Sequence, residues 1–247
     1  MMLDAVTFIF TIVLPKLLQA VPVTLGLTVV SCVVGNLMAV PIALARVSAN
    51  PLLWTPSYLY ILLMRGTPLL VQIYLIYYGL GEILPGTWVR HSFLWPYLRD
   101  GFWYAIVALS LNTAGYTGEI LRGAIQAVPH GEIEAGKAFG MSPWLVLRRI
   151  TLPRAVRICL PTMSTETILL LKSTSLAATI TVMDVLGTAR WIQKQTFRIY
   201  EPLIAAGLIY VTLVFVLTRL LNWLERSLNK DRDQPAPSKS LTTLGNA

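Results

Sequence analysis

A chain of 247 residues that is 55% hydrophobic and only 13% charged is too apolar for an ordinary soluble domain and belongs in a bilayer. The net charge of +8 comes without a basic face interleaved with stacking aromatics, which argues against nucleic acid as a partner. The two cysteines, Cys32 and Cys159, lack metal-ligand spacing and read as packing residues.

Residues 1–18 form an apolar N-terminal segment. It has Asp4 in place of a basic lead and no small-residue cleavage site before Lys16, so it is expected to be retained. Ala5 to Leu14 is too short to span and is expected to lie along the outer interface. Charge-free stretches then recur at Leu17 to Ala45, Val47 to Met64, Gly66 to Gly81, Gly101 to Gly118 and Pro202 to Thr218. A bilayer core needs about 20 residues of helix. The pattern predicts an all-α integral membrane protein with five spanning helices: Val21 to Ala45, Tyr58 to Leu80, Phe102 to Leu121, Pro161 to Met183 and Pro202 to Trp223.

Basic residues accumulate on the cytoplasmic side of membrane proteins. Arg46, Arg122, Lys137, Arg148, Arg149, Arg154, Arg157, Arg226, Lys230, Arg232 and Lys239 fall on one side of the predicted spans, against Lys16, Arg90, Arg99, Arg190, Lys194 and Arg198 on the other. The N-terminus is therefore expected outside and the C-terminus inside. Trp88, Trp95, Trp103, Trp191 and Trp223 fall near predicted span ends, as interfacial aromatics do. Residues 229–247 are polar, contain Pro235 and Pro237, and are expected to form a disordered cytoplasmic tail.

The basic stretch between the third and fourth spans predicts helices. Glu132 and Glu134 occupy the first turn of a helix over Gly131 to Phe139, Lys137 lies near its end, and Gly140 supplies a left-handed stop. Ser142 caps a second helix with Pro143 at its first position, running through Trp144 to Ile150 and stopping before Pro153. The first helix, about 13 Å long, presents Ile133, Ala135, Ala138, Phe139 and Met141. Periodicity leaves two roles open for it: a peg for a cleft in another protein, or an amphipathic helix on the membrane surface.

Arg65, Glu166 and Lys172 fall inside or near spans, where an unpaired charge costs roughly 3 kcal/mol. Glu166 and Lys172 are about 240° apart around a helix and do not pair on one face. Lys172, beside Ser173, Thr174 and Ser175, suits a solute carboxylate, and Glu166 a solute ammonium; contacts to neighbouring helices or a partner chain are the alternative. That alternative is preferred for Arg65. Asn112, Thr113 and Tyr116 form a polar stripe on the third span, suited to a cavity or to interhelical hydrogen bonds. Glu119 and Arg122 are spaced for a structural ion pair.

His91 and His130 have no second ligand nearby in sequence, so no metal is expected. No Ser/His/Asp or Cys/His nucleophile arrangement is recognisable. An intramembrane acid and base at Glu166 and Asp184 would lie about 27 Å apart on a continuous helix, which argues against an enzyme. A passive channel would have no need of a docking peg. No Gly-x4-Gly-Lys-Ser/Thr loop is present to bind ATP.

Glu134-Ala135-Gly136, Gly140, and Ile150 with Leu152 and Pro153 follow the spacing of the cytoplasmic loop of importer permeases, with Gly136 in place of the usual second alanine. Together with Arg65-Gly-Thr-Pro-Leu-Leu-Val-Gln72, Tyr77-Tyr-Gly79, Gly115-Tyr-Thr-Gly-Glu-Ile-Leu-Arg-Gly123 and Lys172-Ser-Thr-Ser-Leu176, this resembles the polar amino acid branch of the ABC transporter permeases across residues 19–228. The resemblance implies a type I importer transmembrane domain in a bacterial inner membrane, with a periplasmic N-terminus. It also implies a second permease chain, identical or related, two ATP-binding cassette subunits that hold ATP and Mg, and a periplasmic solute-binding protein. Gly131 to Ser142 would be the coupling helix, docking through Glu134, Ala135, Gly136, Ala138, Phe139, Gly140 and Met141. The solute pathway would involve Asn112, Tyr116, Glu166, Lys172 and Ser175. The cargo implied is a basic amino acid or an opine.

Overall fold

The computed structural model of the protein describes residues 2–83, 90–93 and 95–228. Trp88, the basic residues Lys230, Arg232 and Lys239, and the expected tail lie outside them. All regular structure among the described residues is helical.

The chain opens with α1 (Met2–Phe8), a wide π turn (Ile9–Val13) and α2 (Leu14–Val47). Residues from Val6 to Val47 make one continuous helix. The segment expected to lie as a separate interfacial helix therefore runs directly into the first span, with Val13 and Leu17 fully buried. Pro22 and Pro41 sit inside α2, as prolines do in membrane helices whose neighbours satisfy the freed backbone groups. Thr24, Thr28, Ser31, Gly35, Ala39 and Ala43 form its buried face. Small residues at this spacing let helices approach closely, and a Cβ on Gly35 would stand 2.7 Å from that of Thr113.

Asn50 caps α3 (Pro51–Gly66), accepting the Leu52 N–H at 3.0 Å, with Pro51 in the first turn. Instead of one span over Tyr58 to Leu80, the chain turns by 107° into α4 (Leu69–Ile83). Pro68 causes the break: it excludes the residue before it from helical geometry, and Thr67 is extended with φ −112° and ψ 145°. Gln72 then donates to the Met64 and Thr67 carbonyls, at 3.0 and 3.2 Å, that the break exposes.

A short turn, α5 (Trp95–Leu98), precedes α6 (Gly101–Gln126), which is capped by Asp100 and packs against α2, α3 and α4. Among the described residues, two helices can cross a membrane by length and composition, Val6–Val47 and Tyr200–Ser227, or four if each bent pair forms one span. Although α6 has 26 residues, it is not among them. Its surroundings are mostly protein rather than lipid, which lets it carry Ser110, Asn112, Thr113 and Thr117.

The loop helix α7 (His130–Ala138) and α8 (Pro143–Val146) follow. The second loop helix does not stop before Pro153: a π turn (Leu147–Thr151) leads into α9 (Leu152–Ser173) and a 3-10 stretch (Thr174–Ile180). Pro153 lies in the first turn of α9, and the Leu152 N–H reaches back five residues to the Leu147 carbonyl. The widened turn accommodates the proline ring. The helix that holds the fourth predicted span thus begins earlier than Pro161, and its 3-10 end is closed by Thr181, which has φ 70°.

Asp184 is not on a continuous helix with Glu166. It caps α10 (Val185–Thr196), a helix in the stretch between the fourth and fifth predicted spans, where no element is predicted. The last helix, α11 (Tyr200–Leu228), is apolar and largely exposed, as a lipid-facing span would be.

Candidate functional site

Two constructions deserve the name of site: the α7 loop and a cavity beside the α3–α4 break. At the end of α7, the Met141 N–H bonds to the Gly136 carbonyl at 3.1 Å and the Gly140 N–H to that of Lys137 at 2.9 Å. With Gly140 at φ +75°, this is a Schellman turn, which closes the last carbonyls of a helix through a left-handed residue. Ser142 then caps α8 through the Leu145 N–H at 3.4 Å.

The turn sorts the predicted docking residues into two groups. Glu134, Ala135, Ala138, Phe139 and Gly140 are exposed, and Phe139 is 87% accessible. Gly136 is buried and Met141 half-buried. Ile133 packs inward on the cluster of Ala43, Leu121, Ala124 and Ala155. A Cβ on Gly136 would stand 2.6 Å from Ile150 Cδ1, so the missing methyl group is what seats α7 against the π turn. Arg154 braces the same helix through Glu132 at 3.2 Å. Trp144, not among the predicted docking residues, is 64% exposed next to this peg; its tryptophan at the second position after the Ser142 cap was the available signal.

The cavity, of about 490 Å³, is lined by Arg65, Thr67, Asn112, Thr113, Tyr116, Glu166 and Ser173 among others. It brings together Asn112, Tyr116 and Glu166, but neither Lys172 nor Ser175 lines it. Lys172 is exposed, and its carbonyl accepts from the Ser175 hydroxyl at 2.7 Å. Arg65, expected to be structural, stands in the wall with its guanidinium 5.5 Å from the Tyr116 ring centroid. Asn112 donates to Gln72 Oε1 at 3.0 Å and to the Met64 carbonyl at 3.3 Å, so its amide nitrogen is occupied in holding the break. In the sequence Gln72 counts only as the end of the Arg65-to-Gln72 motif, with no role assigned, although it stands four residues after the proline that frees the carbonyls.

Glu119 accepts two hydrogen bonds from Arg122, at 2.6 and 2.9 Å, with Arg46 4.0 Å from its other oxygen. Among the described residues no group of three or more His, Cys, Asp or Glu side chains gathers to hold a metal.

An all-helical body with a membrane-length helix, a broken pair around a polar cavity and a projecting loop helix has the architecture of an importer transmembrane domain. A chain of a solved amino acid ABC transporter with histidines matches it with a TM-score of 0.74 at 32% identity, covering 86% of this chain and 94% of that one. The family model for the binding-protein-dependent transport system inner membrane component matches residues 35–230, and the chain belongs to that family. The octopine transport system permease protein OccM of Rhizobium radiobacter is 49% identical over 216 residues, 87% of each chain. The histidine/lysine/arginine/ornithine transport system permease protein HisM of Salmonella typhimurium is 43% identical over 208 residues, 83% of this chain and 87% of that protein.

Proposed function

We propose that this chain is the permease subunit of an ATP-driven importer that carries a cationic amino acid or an opine across a bacterial inner membrane. Five spans, a periplasmic N-terminus and a cytoplasmic α7 loop and C-terminus complete this reading, supported by the basic charge of the loop. ATP and Mg belong to two partner ATPase subunits. A second permease chain and a periplasmic solute-binding protein complete the complex.

The observation that carries the reading is the α7 peg. Its turn is fixed by backbone hydrogen bonds, yet Phe139 is left in the open. An aromatic ring held rigidly in water forgoes burial worth about 2 kcal/mol, and a cleft in an ATPase would recover it. The 490 Å³ cavity supports the solute half of the reading, since Glu166 offers a carboxylate to a cationic group and Arg65 a guanidinium to a carboxylate.

Co-purification from membranes expressing all subunits tests the docking. The ATPase should be recovered with the parent chain and lost with Phe139→Asp or Gly140→Val, and full recovery with both variants would overturn the coupling role. In proteoliposomes, Glu166→Gln should cut ATP-driven arginine uptake about tenfold or more, the loss of one charge-assisted hydrogen bond, while ATPase recovery stays intact. Unchanged uptake would remove Glu166 from the pathway.

A further inference from the structure

A second cavity, of about 510 Å³, lies at the end of the Pro143–Ile180 helix away from the α7 loop. Its walls include Tyr74, Thr179, Thr181, Arg190, Trp191 and Lys194. We propose that it receives the carboxylate end of the solute before the solute enters the Glu166 cavity. This rests on the solute reading above and adds a site to it.

The charge distribution calls for an anion. Arg190 and Lys194 lie one turn apart on α10, where like charges repel, and neither is paired with an acidic side chain among the described residues. Lys16 adds a third cation, its Nζ 4.6 Å from the centroid of Trp191. Nearby acids are engaged elsewhere. Asp184 is fully buried, with one oxygen accepting from the Gly187 N–H and the other from the Tyr210 hydroxyl, each at 2.8 Å. Glu201 faces Arg198 at 3.6 Å.

The shape and position select a small solute. The two cavities are lined by the same pair of elements, five residues further along each: Leu69 then Tyr74 on α4, and Ser173 then Ala178 on the α9 and 3-10 stretch. Those steps are roughly 8 Å and 10 Å. A solute with a carboxylate at one end and a cationic group at the other thus has a short passage from the cavity of Arg190 and Lys194 to the one that holds Glu166. Solutes with a second carboxylate gain most from the basic cavity.

The test uses the complete complex in proteoliposomes with saturating liganded binding protein, comparing the parent with Arg190→Gln/Lys194→Gln. Uptake rates are measured for arginine and for an arginine derivative carrying a second carboxylate. We expect the rate to fall about threefold for arginine and tenfold or more for the dicarboxylate, with ATP hydrolysis keeping its dependence on binding-protein concentration. Equal rates for parent and variant overturn the proposal. So does a loss equal for both solutes with a weakened, salt-sensitive response to binding protein, which would make the patch a protein-docking surface. A parent defect produced merely by omitting anionic lipid, with the variant indifferent, would assign the cations to headgroups instead. A parent complex that carries neither solute overturns the solute reading itself, and this site with it.

Discussion

The two ends of the Pro143–Ile180 helix follow opposite plans. At the loop end an aromatic side chain, Phe139, stands in the open while a glycine, Gly136, occupies the interior. At the other end a carboxylate, Asp184, occupies the interior while Arg190 and Lys194 stand outside. A buried carboxylate is tolerable only when its oxygens are bonded, and here the Gly187 N–H and the Tyr210 hydroxyl supply the donors. Thr24 adds a further tie, accepting the Val185 N–H at 3.2 Å. The knot joins α2, α10 and α11. Buried polar groups at that end tie helices together, whereas at the loop end a large apolar side chain is left uncovered.

Asp184→Ala should break this contrast most severely. It removes a helix cap and two hydrogen bonds and leaves the Tyr210 hydroxyl buried without its acceptor, an expected loss of about 3 kcal/mol, read as a lower thermal midpoint of the detergent-solubilised complex. Phe139→Ala should do the reverse: no change in thermal midpoint, but ATPase association weaker by about 2 kcal/mol, near thirtyfold, in a titration of the solubilised permeases. Tyr210→Phe keeps the ring and loses one bond, so the midpoint should fall by an amount equivalent to about 1 kcal/mol. Gly136→Ala should cost less than about 1 kcal/mol, because the atom met first is the mobile tip of Ile150. A larger loss from Gly136→Ala than from Tyr210→Phe would show that the loop end also depends on its interior.

The loop was readable from sequence because its signals are local. Gly140 stops one helix and Ser142-Pro143 begins the next, and the hydrogen bonds there involve neighbours in the chain. The α3–α4 break was hidden inside an apolar run, where hydrophobicity alone cannot separate one straight span from two bent helices, although Gly66 and Pro68 mark the spot. Pro153 misled in the other direction: a proline ends a regular helix, but a π turn makes room for it. The structural role of Asp184 was not legible because its partner Tyr210, and Thr24 bonded to the next residue, come from distant helices. For the cavity, sequence grouped Asn112, Tyr116 and Glu166 by polarity alone. Lys172 was grouped with Glu166 as a second charge of the same span, although the roughly 240° between them around a helix already put them on different faces.

From Pro143 to Ile180 the chain forms one continuous helical segment of roughly 57 Å, longer than the hydrocarbon core of a bilayer. It is a rod with the projecting loop at one tip and Ala178 and Thr179 of the basic cavity at the other. Tilting such a rod by about 5° around its loop end sweeps the far tip by about 5 Å, close to one helical pitch. A small tilt at the loop end is thus amplified along the rod into a shift of Ala178 and Thr179 in the wall of the distant cavity.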